Sequence, residues 1–192
     1  MVKKTAKKTA VKRAKAKKTV APTPKKQKKL KFSWAVRTWH LAPLATLGPV
    51  GYFPKGPGTM GSLAALPFIY LLSYGSSILL WLTIVVLFLL GLIAVKQFTE
   101  NKTEKDPSCV IVDEVVGQMI PFVVVLPEFM HWPMLFVGFA LFRFFDIFKF
   151  GAVAFWDRKK TPMGVMMDDV AAGICAGFIM AMLQVISVEF FM

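Results

Sequence analysis

The chain has 192 residues, 56% of them hydrophobic, with two cysteines and a formal net charge of +13. That length suits one compact domain, and two cysteines in separate apolar stretches, Cys109 and Cys175, exclude a disulfide framework and a zinc cluster. The charge is uneven: residues 1–31 hold 14 Lys/Arg and no acid, whereas residues 32–192 hold 10 Lys/Arg against 11 Asp/Glu.

The first 31 residues are low-complexity Lys/Ala/Thr with too few large apolar groups to pack, and are expected to be a disordered, Lys-rich tail. No apolar stretch follows the charges as it does in a signal peptide. Such a lysine array binds polyanions by counterion release, either anionic lipid headgroups or nucleic acid. The positive-inside tendency puts it in the cytoplasm.

Residues 32–192 are expected to form one membrane-embedded helical domain. FSWAVRTWHLAPLATLGPVGYF (32–53) has the Trp-rich mix of an interfacial segment. GYFPKGPGTMGSL (51–63) is dense in Gly and Pro; its bared backbone amides and Lys55 suit a bound phosphate, and equally a plain loop with Thr59 or Ser62 capping the next helix. It lacks the G-x-x-x-x-G-K-[ST] order of a P-loop. From Gly56 to Val95 there are 40 residues without a formal charge. Within them ILLWLTIVVLFLLGLIAV (78–95) can span a hydrocarbon core of about 30 Å, and SLAALPFIYLLSY (62–74) is shorter. FMHWPMLFVGFALF (129–142) is again marginal, and VAAGICAGFIMAMLQVISV (170–188) spans comfortably. The fold class is therefore all-α, a polytopic membrane bundle of about four to five embedded helices. Polar links at 96–108 and 156–164 carry lysines, and one threading puts both on the cytoplasmic side.

Five acids stand beside or inside apolar sequence: Asp113, Glu114, Asp146, Asp168 and Asp169. Ionised carboxylates are costly there unless paired or metal-bound. Arg143, Asp146 and Lys149 fall at i, i+3 and i+6, which on one helix makes a single polar stripe. That stripe reads either as an intrahelical ion-pair ladder or as an acid on a metal beside two bases facing a phosphate. Asp168–Asp169 alone would be an ordinary dipole complement at a helix start. Together the five form an oxygen-rich set suited to Mg²⁺, a hard cation. Asp157, next to Arg158, reads as a solvated surface charge. No C-x₅-R, no D-x-D-x-T and no D-G-x-x-A-R run is present, and His40 and His131 sit in Trp-flanked apolar settings.

GPGTMGSL (56–63), IVDEVVGQMI (111–120), FRFFDIFK (142–149) and GVMMDDVAAG (164–173) resemble, in order and spacing, the phosphatidylglycerophosphatase A family. The resemblance covers about residues 40–180 and leaves out the tail. It implies a membrane-bound, Mg²⁺-dependent enzyme that removes the terminal phosphate of phosphatidylglycerophosphate, a membrane phospholipid, to give phosphatidylglycerol. In a bacterium this would be a multi-pass protein of the inner membrane with its site facing the cytoplasm. Carried over by position, the resemblance makes Asp113, Glu114, Asp146, Asp168 and Asp169 the metal ligands and catalytic acids, with Lys149 beside them. Arg143, Lys55, Gly58, Thr59, Gly61 and Ser62 would hold the phosphate. The nucleophile is either an activated water or a carboxylate, Asp113 or Asp169. The chain departs from the family pattern twice: K-P-x-P is here Lys149-Phe150-Gly151-Ala152, and a usual Gly is Pro162. The rival readings are a phosphatase for another lipid phosphomonoester, and a non-catalytic anchor presenting the Lys-rich arm.

Overall fold

A computed structural model describes residues 41–75, 77–99 and 108–191. The Lys-rich tail, residues 32–40 of the interfacial segment and most of the first polar link lie outside the described residues. Among the described residues all regular structure is helical: α1 (Ala42–Thr46), α2 (Pro57–Gly75), α3 (Ser77–Thr99), α4 (Val112–Met119), α5 (Trp132–Phe148), α6 (Ala152–Asp157) and α7 (Pro162–Phe191). Short 3₁₀ turns occur at Val50–Tyr52, Ile120–Val124 and Pro127–Phe129.

Two helices are long and apolar enough to cross a membrane: α3, and α7 over Pro162–Ser187. With 23 residues α3 measures about 34 Å, more than a hydrocarbon core of about 30 Å. It has no proline and no acid, and much of its apolar surface faces outward, Leu82 and Val86 being more than half exposed. α2 and α5, the two marginal stretches, come out as helices of 19 and 17 residues. α2 runs past the hydropathy stretch at both ends, whereas α5 starts inside its stretch and runs past its C-terminal end. Pro57 opens α2 with its φ already set and no amide hydrogen to lose.

α7 is the central element and packs on α4, α5, α6 and the Ile120–Val124 turn. Its start is well specified. Thr161 Oγ1 accepts the Gly164 N–H at 3.1 Å as an N-cap, and Pro162 follows at the first helical position. The Pro162 departure from the family pattern therefore lands where a proline favours the helix. α4 and α7 approach backbone to backbone. A Cβ on Gly173 would strike the Gly117 carbonyl, and one on Gly117 would come within 2.7 Å of the Asp169 carbonyl and of the Phe142 ring. Phe142, fully buried, packs beside Gly117, and Phe122, Leu135, Met166 and Met180 lie in the main core with almost no exposure.

α5 stops at Phe148 because Lys149 takes a left-handed conformation, φ +48°, while its N–H still bonds the Phe145 carbonyl at 2.9 Å. Gly151, φ +53°, completes the turn into α6. The i, i+3, i+6 stripe is therefore interrupted: Arg143 and Asp146 lie on α5, and Lys149 turns out of it.

A candidate acidic active site

Three helix ends meet at the acids. α4 begins at Val112, so Asp113 and Glu114 sit in its first turn, where the helix dipole favours negative charge. Its position is fixed by Ile111, whose N–H donates to the Ala45 carbonyl at 2.8 Å and whose own carbonyl accepts from Val115. Asp146 comes from the last turn of α5 and Asp168 and Asp169 from the second turn of α7. One carboxylate oxygen each from Asp113, Glu114 and Asp169 lie within 4.8 Å of one another. Asp146 stands beside Asp169 and Glu114, and Asp168 beside Asp113. All five acids read from the sequence are thus brought together.

The cations are arranged at the rim. Arg143 Nη1 contacts Asp146 Oδ2 at 2.6 Å. Lys149 Nζ lies 2.6 Å from Asp157 Oδ1 and 3.0 Å from Asp168 Oδ2. Asp157 is the correction to the sequence reading: it is no freely solvated surface charge but a partner of Lys149, with Lys160 3.7 Å away. Its spacing of eight residues from Lys149 carries no helical periodicity, because a turn and a new helix intervene. Among the described residues no cation touches Asp113, Glu114 or Asp169.

Electrostatics follow from that geometry. Burial raises Asp113 well above the usual carboxylate range, and the neighbouring Glu114 charge raises it further. Burial likewise lifts Glu114 to about 8, against a hydrogen bond with Asp113 that favours its charged form. Lys149 is held above its ordinary value: burial works against its charge, and the bonds to Asp157 and Asp168 outweigh it. The same bond to Lys149 lowers Asp157. Buried Glu114 Oε2 has no hydrogen-bond partner. Acids so placed, with an orphaned oxygen among them, fit a hard divalent cation.

The Gly-rich segment divides. A Cβ on Gly58 would run into the Glu114 carboxylate, so this glycine admits the acid next to α2. Gly61 serves packing, since its Cβ would stand 3.1 Å from that of Ile111. Ser62 is fully buried and donates to the Gly58 carbonyl at 3.0 Å. Thr59 is exposed in the first turn of α2. Neither hydroxyl precedes the helix as a cap; Gly56 does, its carbonyl accepting from Met60 at 3.1 Å. Lys55 is exposed on the loop before α2, away from any ion pair among the described residues. The sequence reading passed over Gln118, one turn along α4 from Glu114. It is fully buried, and neither of its amide atoms is hydrogen-bonded.

A model of the family described as phosphatidylglycerophosphatase A matches residues 43–184. The chain belongs to the phosphatidylglycerophosphatase A family. It is an enzyme of the phosphoric monoester hydrolase class. The phosphatidylglycerophosphatase A of Escherichia coli is 32% identical over 143 residues, 74% of this chain and 81% of that protein. The one from Haemophilus influenzae is 36% identical over 137 residues, 70% and 82% of the two chains. A Bacteroides thetaiotaomicron protein with the provisional name phosphatidylinositol-3-phosphatase is 39% identical over 137 residues, 68% of this chain and 85% of that one. No solved structure matches the chain.

Proposed function

We propose that this family member hydrolyses the terminal phosphate of phosphatidylglycerophosphate, giving phosphatidylglycerol, with Mg²⁺ as its cofactor. The observation that carries the reading is the convergence of Asp113, Glu114 and Asp169 from two separate segments, uncompensated by any cation among the described residues. Asp113, Glu114 and Asp169, with Asp146 and Asp168 beside them, would hold the metal. When bound, it supplies Lewis-acid polarisation of the phosphate and charge neutralisation.

The chain's own residues do the rest. Lys149 and Arg143, at the rim of the acids, orient the non-bridging phosphate oxygens and balance their charge. The open first turn of α2, with Thr59 exposed and Gly58 against Glu114, leaves backbone N–H groups for the same phosphate.

A site facing the cytoplasm of a bacterial inner membrane suits the charges. The acids lie near the end of α3 that carries Lys96 and the start of α7 that follows Arg158, Lys159 and Lys160, Gly91 of α3 standing against Met166 of α7. The Lys-rich tail would add anionic lipid contact on that side.

The test is phosphate release by the purified protein, with and without Mg²⁺, from phosphatidylglycerophosphate, phosphatidic acid and phosphatidylinositol 3-phosphate. Mg²⁺-dependent release, fastest from the first, is expected, and Asp113→Ala is expected to abolish it while the protein stays folded. Equal release with a chelator present would sink the metal assignment. Preference for another of the three lipids would replace the substrate.

A further inference from the structure

We infer that an apolar groove between α2, α3 and α4 holds an acyl chain of the lipid whose phosphate sits at the acids. The groove has a volume of about 460 Å³, within the range of about 300–1,000 Å³ that holds small ligands. Its walls are Ala65, Phe68 and Leu72 of α2, Leu87 of α3, and Val115 and Met119 of α4. Among its lining residues the one hydroxyl belongs to Thr83, and it donates to the Leu79 carbonyl at 2.8 Å. A polar ligand would find no side-chain partner there, so the occupant must be hydrocarbon.

The groove is aligned with the site along α2. Gly58, against Glu114, and Ala65 and Leu72, in the groove, are spaced by seven residues and share one face of α2. The groove thus begins about 10 Å along α2 from the acids, at 1.5 Å per residue. On α4 the acids Asp113 and Glu114 stand between Val112 and Val115 in sequence and on the face turned away from the groove, so one turn of a short helix separates the two sites. The groove also opens outward past Phe68 and Leu71, each more than 60% exposed, beside the outward apolar face of membrane-capable α3. A phosphate at the acids and a chain along the groove can belong to one lipid entering from the side. The inference rests on the lipid-phosphomonoester reading above.

Thr83→Trp and Leu72→Trp fill the groove from positions remote from the acids. The probes are dioleoyl and dihexanoyl phosphatidylglycerophosphate in one detergent. Either variant is expected to lose about tenfold in kcat/KM for the long-chain lipid, through KM, while the short-chain lipid is turned over within about twofold of wild type. An equal loss on both lipids, or none on either, overturns the groove assignment alone. Absence of phosphate release by the wild type from either lipid overturns the functional reading itself, and the groove with it. A photoreactive benzophenone side chain at position 83 gives a readout independent of turnover. It is expected to capture the long-chain lipid; capture of residues 32–40 or of a second copy of the chain instead overturns the assignment.

Discussion

The Lys149 ammonium lies 2.6 Å from the Asp157 carboxylate, across a turn that ends one helix and begins another. With Asp168 as its second contact, Lys149 joins the α5–α6 turn to α7 at the level of the acids. Asp157 therefore holds in place the cation proposed above to meet the phosphate, without itself belonging to the acidic cluster. Asp157→Asn is expected to cost under about 1 kcal/mol of stability, because both groups are about one-third exposed. Its kcat/KM should fall about tenfold or more, as a displaced positioning group allows. Thermal melts and steady-state kinetics on one preparation separate the two effects; a fall in melting temperature with intact turnover contradicts the role.

Metal-free protein is expected to lose stability as pH rises. Glu114 has a folded value of about 8 against an ordinary 4.5, and Asp113 moves the same way. A carboxyl raised in the folded state binds protons that the unfolded chain has released. Its contribution is thus fully present below the unfolded value and is lost as pH climbs through the folded one. Melting temperature in chelator should fall between about pH 4.5 and 8. Saturating Mg²⁺ should flatten the curve by favouring the ionised acids. A profile unchanged by the metal would argue against binding at these residues.

Gly58→Ala places a methyl group where the Glu114 carboxylate stands. The side chain has to swing away, and the expected outcome is a loss of Mg²⁺ affinity of about tenfold or more, in the range seen when ligand geometry is disturbed. Calorimetric metal titration measures it directly. Gly61→Ala, which meets Ile111 instead, is expected to lower the melting temperature and leave metal affinity of the folded protein unchanged.

Gln118 is buried with both amide atoms unpaired, which costs a fold about 1–3 kcal/mol. Gln118→Met keeps much of the volume and removes the polar atoms, so a higher melting temperature is expected. An unchanged or lower value would mean that the amide has a partner the fold depends on.

Much of this was legible in the sequence because hydropathy and charge are local. The long apolar runs became α3 and α7, and five carboxylates in apolar settings became one cluster. Neither cysteine is in a disulfide, as their spacing implied. What escaped was set by turns and by close approach. Lys149 broke its expected stripe because a left-handed residue and Gly151 redirected the chain, and that same redirection brought Asp157 into reach. Ser62, read as a cap or phosphate ligand, bonds within its own helix because Pro57 started that helix earlier than the hydroxyls suggested. Gln118 reads in the sequence as any polar residue in an apolar motif, and only the fold buries it.

The contact of Gly117 with Gly173 has a consequence for how such a protein tolerates change. The acids of α4 and α7 are referenced to each other through main chain, at a point where neither helix contributes a side chain. The outer apolar faces of α3 and α7 can then exchange one apolar residue for another without altering the spacing of the carboxylates. Sequence drift on those outer faces is mechanically insulated from the chemistry. The corresponding intolerance is concentrated at two glycines, where a single added methyl group would pry apart the helices that carry the site.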